Sequence, residues 1–485
     1  MNKTLLFLSL ILMIKISHTQ KITINGNKFQ VNGQELFLNG INSPWQNDPY
    51  FRIDFIDTDY FELKFWKDEF KKMKQNKVNT ARIWIHSIGN HSPLYDSNGF
   101  VLSPSTRFYQ HLDAVINEAV QQEIYVLPTL WSFDMVIRTG SGHVGSDQFQ
   151  QHRNVLRDTN KLTSYVDNFL GPIVERYKNN PYVFAFDIIN EPEHMWENAN
   201  NWVDGQITRN HVVRFIARCA AKIHDISSST LVTVGSKWNI YNSSRYNGWS
   251  GIAHTGDNLT DAILQAQFKD SKAYLDFYSM HWYQWQSTGA PFDEKVSDLY
   301  PGVTKPVIIS EYPGQDLPNN ECNCTCTNCD FDISLANAYE AVYLNGFAGM
   351  LPWRNGLEND KFGKSAKIYE ATNSFASKYP DLVFPRNTLS TSDNELTKSY
   401  ESQFKLYPNP TTDNNITLEI TLQKQQDIKI EIFNVIGQSF FSYTTTTQDG
   451  KNTIPLDLSN FNSTEGIIFV KISSNNFSKV FKVFN

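Results

Sequence analysis

Three observations predict an α/β protein: a (β/α)8 barrel, the TIM-barrel architecture, followed by a small all-β sandwich. Between residues 36 and 380, short apolar, β-branched runs alternate with longer amphipathic ones. Several of those short runs end on a carboxylate, an amide or a tryptophan, as strands opening into a bowl would. Beyond a polar stretch near residue 390, the pattern changes to alternating short strands separated by turn residues.

The strand-like runs are LFLNGIN (36–42), VNTARIWI (78–85), IYVLPTLW (124–131), VFAFDIIN (183–190), LVTVGS (231–236), LDFYSMHWY (275–283), PVIISEY (306–312) and GFAGMLPW (346–353). Between them, STRFYQHLDAVINEAVQQE (105–123) puts Leu112, Val115, Ile116 and Ala119 on one helical face. Similar patterns fall near 60–76, 161–178, 208–226, 333–345 and 364–378, and the weakest follow the fifth and sixth strands. A doubly wound open sheet is the alternative. No Gly-rich nucleotide loop follows the first strand, so a dinucleotide site has no support.

The chain ends carry their own signals. Lys3 precedes an apolar run, Leu5–Ile14, too short to span a bilayer, so residues 1–19 read as a secretory signal rather than an anchor. Residues 20–385 then form the barrel unit, 386–403 a linker and 404–485 the sandwich. In an exported chain, Cys322, Cys324, Cys326 and Cys329 of CNCTCTNC are expected to form two local disulfides, with a zinc site as the alternative. Cys219 falls in helical phase with Phe215, Ile216 and Ile223 and is expected to be a buried thiol. A net charge of −7 argues against a nucleic-acid partner.

The C-terminal ends of barrel strands carry chemistry. Asn190 and Glu191 end the fourth strand and Glu311 ends the seventh, so both carboxylates project into one bowl. Such a pair is what glycosidic bond cleavage needs: one protonates the leaving oxygen, the other attacks the anomeric carbon. A single Glu is usually a solvated loop residue; two that both end apolar strands weaken that reading. Of eleven tryptophans, all but Trp66 lie at or just beyond an expected strand end (45, 84, 131, 196, 202, 238, 249, 282, 285 and 353), which suits a cleft that stacks sugar rings.

The ordered set ARIWI, INEP, HWY, ISEY and LPW resembles clan A glycoside hydrolases, and most of all glycoside hydrolase family 5, over residues 30 to about 380. The resemblance implies a retaining mechanism with Glu191 as acid/base and Glu311 as nucleophile. It further implies Asn190 on the sugar 2-hydroxyl, Arg82 keeping Glu311 ionised, Tyr283 donating to the nucleophile and His281 on the same wall. Trp353 would be the platform under the sugar being cleaved, with Trp131 and Trp45 as further substrate contacts or supports. Family members commonly carry a histidine after the third strand, where TLWSFDM offers Trp131 and Asp134. Asp187, inside the fourth strand, reads as a buried structural partner, and His86 as either a substrate contact or a surface residue. The tail, from LYPNPTTDNNITLEI through IFNVIGQ to KVFKVFN, resembles the type A sorting domain of type IX secretion. That resemblance implies export, outer-membrane secretion machinery as a partner, and a secreted or cell-surface protein; the alternative is a carbohydrate-binding sandwich.

The expected function is thus that of a secreted endo-β-glycanase, a monomer, using neither metal nor organic cofactor. β-1,4-Mannan is the first substrate choice and β-1,4-glucan the second. A catalytically silent glycan-binding protein and a transglycosylase are the alternatives.

Overall fold

The computed structural model describes residues 21–46, 61–136, 146–196, 207–249, 251–286, 288–317, 331–354 and 363–385, and most of 404–484. The expected signal segment, the linker, Trp202 and the four clustered cysteines lie outside the described residues. Two compact units appear, residues 1–385 and 386–485.

The first unit begins with three short antiparallel strands, β1 (Thr23–Asn25), β2 (Lys28–Val31) and β3 (Gln34–Leu36). Eight parallel strands follow and close into a barrel: β4 (Leu38–Asn42), β5 (Thr80–Trp84), β6 (Tyr125–Ser132), β7 (Ala185–Asn190), β8 (Leu231–Ser236), β9 (Tyr278–His281), β10 (Val307–Glu311) and β11 (Gly349–Met350). Every expected barrel strand is present. Closure runs through Ile309 beside Met350 and Gly349 beside Leu38. At Gly349 a side chain is barred by the neighbouring strand, since a Cβ would stand 2.6 Å from the Leu38 Cβ.

Phe29, Leu127, Phe184, Phe277 and Ile308 fill the N-terminal end of the barrel, with β1–β3 contributing Val31 and Leu36. Toward the other end this apolar filling gives way to Asn42, Arg82, Thr129 and Asp187, all fully buried. Polar groups sealed inside a barrel must satisfy one another, and here they support the site.

Around the barrel lie α1 (Leu63–Gln75), α2 (Thr106–Gln121), α3 (Ser146–Arg157), α4 (Thr159–Tyr165), α5 (Gly171–Tyr177), α6 (Arg209–Ile226), α7 (Asp261–Phe268), α8 (Val296–Leu299), α9 (Leu335–Leu344), α10 (Ser365–Lys378) and α11 (Pro380–Val383). The helix expected at 161–178 is interrupted by one π-helical turn, Val166–Leu170. Pro172 supplies the reason: it has no N–H to give an α-helical turn, and the Gly171 N–H reaches back to Val166 O. Cys219 is free and buried on α6. After the fifth and sixth strands, where the helical patterns were weakest, single 3-10 turns and the short α7 and α8 stand in for full helices.

The second unit is a sandwich of two antiparallel sheets. One holds β12 (Phe404–Tyr407), β13 (Asn415–Leu422) and β16 (Gly450–Asp457); the other holds β14 (Gln426–Phe433), β15 (Ser439–Thr447), β17 (Ile467–Ser473) and β18 (Ser478–Phe484). Alternate residues point inward: Ile416, Leu418, Ile420 and Leu422 from one sheet meet Ile428, Ile430, Ile432, Ile468, Val470 and Ile472 from the other. Among the described residues, no helix is long and apolar enough to cross a membrane.

Candidate active site

Glu191 follows β7 and Glu311 ends β10, and both reach the C-terminal mouth of the barrel. A carboxylate oxygen of each lies within 4.8 Å of the other and of a His281 ring nitrogen. Glu191 occupies the left-handed region, φ 46° and ψ 53°, unusual for a residue with a side chain. Its backbone N–H donates to Gly235 O at 2.7 Å, which holds the turn against the end of β8.

Each carboxylate has its own partners. Glu311 Oε1 accepts from Arg82 Nη1 at 2.8 Å, and its Oε2 accepts from the Tyr283 hydroxyl at 2.9 Å. Glu191 Oε1 accepts from His281 Nδ1 at 2.8 Å, and its Oε2 from His194 Nε2 at 3.2 Å. His281 Nδ1 also lies 3.5 Å from Glu311 Oε2, so one imidazole spans the pair.

Arg82 organises the floor. Its Nε and Nη2 both donate to Asp187 Oδ2, at 2.9 and 2.7 Å, Nη2 also to Asn190 Oδ1 at 2.8 Å, and Nη1 also to Asn42 Oδ1 at 3.0 Å. Burial works against the guanidinium charge, but Asp187 and Glu311 outweigh it and raise its pKa further. Asp187 is held in turn by Thr129 Oγ1 and Gly235 N. Asp187 is therefore the buried partner that its place inside a strand suggested.

Burial is the largest influence on both carboxyls. It lifts Glu311 above the usual range, reinforced by Glu191 and opposed by His281, Arg82 and Tyr283. On Glu191 it is overridden by the hydrogen bonds and charges of His194 and His281, which hold that carboxyl low. Only the charge part of that pull on Glu191 needs protonated imidazoles, since a neutral ring N–H still donates, whereas the guanidinium beside Glu311 never loses its proton. Glu191, His281 and Glu311 have the reach of a metal site. A cation there would meet the fixed charge of Arg82, which is paired with Glu311.

The aromatic expectations divide. Trp353, half-buried, stands at the mouth, with Trp45 and Trp84 edge-on or tilted behind it at 5.7 and 5.9 Å. Trp45 is nearly buried and carries the Arg354 guanidinium over its ring, so it props Trp353. Trp131 is a correction: it is fully buried against Tyr165 and Phe215 in the layer between barrel and helices, and has no face for a sugar. Trp84, Trp196 and Trp282 are likewise buried. His86 is neither a surface residue nor a substrate contact; it is buried, its Nδ1 2.7 Å from Ser92 Oγ.

Two residues, His194 and Glu193, escaped the sequence reading, and Trp285 entered it only as one of ten tryptophans near strand ends. Trp285, 42% exposed, stacks face to face on Tyr283 at 4.3 Å, placing an open indole beside the partner of Glu311. The spacing in HWYQW was the available signal. His194 packs on Phe133 at 4.2 Å as it donates to Glu191. Glu193, fully buried, accepts from Ser236 Oγ and Lys237 N.

The pattern of the family described as Cellulase (glycosyl hydrolase family 5) matches residues 24–345, and that of the secretion system C-terminal sorting domain matches 405–484. The sorting domain indicates a secreted or cell-surface protein. A mannan endo-1,4-beta-mannosidase of Cryptopygus antarcticus is 27% identical over 68% of this chain and 83% of its own length. Another, of Mytilus edulis, is 25% identical over 69% and 87%. Two solved structures superpose with a TM-score of 0.60: the beta-mannanase of the blue mussel Mytilus edulis, 21% identical, covering 74% of this chain and 97% of that one, and the beta-1,4-D-mannanase of Cryptopygus antarcticus, 23% identical, covering 73% and 94%. They share the barrel. The match of the family pattern over most of the chain settles membership: this is a glycoside hydrolase of family 5.

Proposed function

We propose that this enzyme is an endo-1,4-β-mannanase that cleaves with retention of configuration. The observation that carries the mechanism is the approach of a Glu191 and a Glu311 carboxylate oxygen to within 4.8 Å, which fits the ~5–5.5 Å separation of retaining enzymes better than the ~6.5–9.5 Å of inverting ones. The relatives named as mannan endo-1,4-beta-mannosidases support the choice of sugar.

Glu311, oriented by Arg82 and Tyr283, attacks the anomeric carbon as the bond to the leaving oxygen breaks. Glu191 gives its proton to that oxygen, then takes one from the water that attacks C1 and releases Glu311. For the first step Glu191 must hold a proton. Burial and the charge on Glu311 favour this against the pull of His194 and His281, while Arg82 favours the ionised nucleophile. Asn190, its Oδ1 committed to Arg82, keeps its NH2 to donate to the sugar 2-hydroxyl. Trp353, following β11, and Trp285, following β9, supply apolar faces for the sugar chain.

The test offers mannohexaose and cellohexaose to the full chain, with Glu311→Ala as control and NMR to follow the first anomer formed. Internal cuts in mannohexaose that give the β-anomer and vanish in the variant are expected. Cuts confined to cellohexaose would make it a glucanase, an α-anomer would remove the retaining mechanism, and binding without cleavage would make it a silent glycan binder.

A further inference from the structure

The chemistry above uses Glu191 and leaves unexplained the second carboxylate of the same turn. Glu193 sits in the 3-10 turn Pro192–Met195, fully buried, where an unpaired carboxyl would be costly. It is not unpaired. Oε1 accepts from Ser236 Oγ at 2.5 Å and Oε2 from Lys237 N at 3.0 Å, so the turn is bound to the end of β8. A second tie, Glu191 N to Gly235 O at 2.7 Å, joins the same two segments two residues earlier. Glu191 is thus held at one tie and lies two residues from the other, in a left-handed conformation uncommon for a residue with a side chain.

We propose that Glu193 is a positioning residue: by clasping Ser236 and Lys237 it holds the turn that aims Glu191 at the glycosidic oxygen. The inference rests on the reading of Glu191 as acid/base. Reach matters more here than charge. Burial, reinforced by Glu191, pushes the Glu193 carboxyl to about 7 against the bonds from Ser236 and Lys237. The titratable groups that face it are Glu191 and Tyr300. Either protonation state can hold the clasp. Ser236 Oγ lies 3.3 Å from Trp238 O, so the serine can turn its proton there and accept one from a neutral Glu193. A glutamine fits the same partners, its amide donating to Ser236 and its carbonyl accepting from Lys237. An aspartate keeps the charge but is one methylene too short.

The test is steady-state kinetics of the full chain on mannohexaose for wild type, Glu193→Ala, Glu193→Gln and Glu193→Asp. Circular dichroism checks that each variant is folded. Displacing an acid/base by a fraction of an ångström lowers turnover more than binding. Alanine is therefore expected to lower kcat by about tenfold or more and leave KM within roughly threefold. Glutamine should recover most of that loss, and aspartate should not. An alanine variant with wild-type kcat overturns the proposal, as does aspartate recovering turnover as well as glutamine does. If the alanine variant does not fold, the comparison of glutamine with aspartate decides. A wild type that cuts no hexaose removes the mannanase reading and this inference with it. An active wild type indifferent to residue 193 removes the inference alone.

Discussion

Asp187 accepts four hydrogen bonds in the floor of the barrel: two from Arg82 at 2.7 and 2.9 Å, one from Thr129 at 3.0 Å and one from the Gly235 N–H at 2.8 Å. Asp187→Ala removes all four. Arg82 is itself fully buried, and its remaining charged partner is Glu311 on Nη1. Breaking one side of a buried ion pair costs about 3–5 kcal/mol, because the partner's charge stays behind without solvent. The contact to Glu311 keeps Arg82 from being wholly bare, so a loss in that range and not above it is expected. Tryptophan fluorescence in urea is a clean assay. All 11 tryptophans lie between residues 45 and 353 and none in the sorting domain, so the signal follows the barrel unit alone. The variant should unfold at lower urea with an unchanged slope. Arg82→Met added to Asp187→Ala should cost less than the two single changes together, since the stranded charge is then gone. If Asp187→Ala loses less than about 1 kcal/mol and keeps wild-type turnover, the view of Arg82 as a buried charge held by two carboxylates is wrong.

The remaining expectations follow from single contacts. Removing His194 takes a hydrogen bond and a charge from Glu191, so its pKa should rise in His194→Ala. The alkaline limb of kcat/KM, where the acid loses its proton, should then move to higher pH; a limb that stays or falls would count against His194 as a partner of the acid. Trp285→Ala removes an exposed stacking face and should raise KM for mannohexaose by about 5–10-fold, equal to about 1–1.4 kcal/mol of aromatic contact. Glu193 gives a stability test. Its folded pKa of about 7 lies above the ordinary value of 4.5, so the folded state holds a proton that the unfolded chain releases between those values. Wild-type stability should therefore fall as pH rises through that window. Glu193→Gln, with no proton to lose, should gain up to about 3 kcal/mol relative to wild type between pH 4.5 and pH 7, and an unchanged difference in urea midpoints would refute the assignment.

The barrel was legible because its strands are buried on both faces and read as continuous apolar runs, which end where polar chemistry begins. Asn190 and Glu311 could be found this way because each closes such a run, whereas Arg82, in the middle of β5, was named through the family resemblance. Trp131 could not. Beside the end of a strand, a side chain turns either into the bowl or back against the helices, and composition near the end does not distinguish the two. Trp353 took the first course; Trp131 and Trp282 took the second. Glu193 and His194 were illegible for another reason. Ser236, Lys237 and Phe133, which they touch, lie 43 or more residues away, and only the His194 bond to Glu191 is local. Likewise, SKWNIYNSSRYNGWSG after β8 has no apolar period to read, and the short 3-10 turns there are held by side-chain bonds such as Ser243 to Leu299 O.

Gly235 shows that β8 shapes this site through a side chain it lacks. A Cβ there would stand 2.9 Å from Arg82 Nη2, 3.0 Å from Asp187 Oδ2 and 3.0 Å from His281 Nε2. Those atoms come from three other strands and belong to the groups that set the charge on Glu311 and the hydrogen bond to Glu191. The residue is not in the left-handed region, so alanine would be no strain on the backbone, and any effect must come from crowding. None of the three neighbours can yield cheaply: Arg82 and Asp187 are locked to each other, and moving His281 breaks its bond to Glu191 Oε1. Overpacking of this kind costs about 1–3 kcal/mol of stability. Turnover should suffer more than that figure implies, because the displaced groups are the ones that orient both carboxylates. For Gly235→Ala we expect a modest fall in urea midpoint with a loss of kcat of about 100-fold, as a misplacement near 1 Å produces. A variant equally destabilised but with kcat within threefold of wild type would show that the floor of the barrel holds the fold together without aiming the catalytic pair.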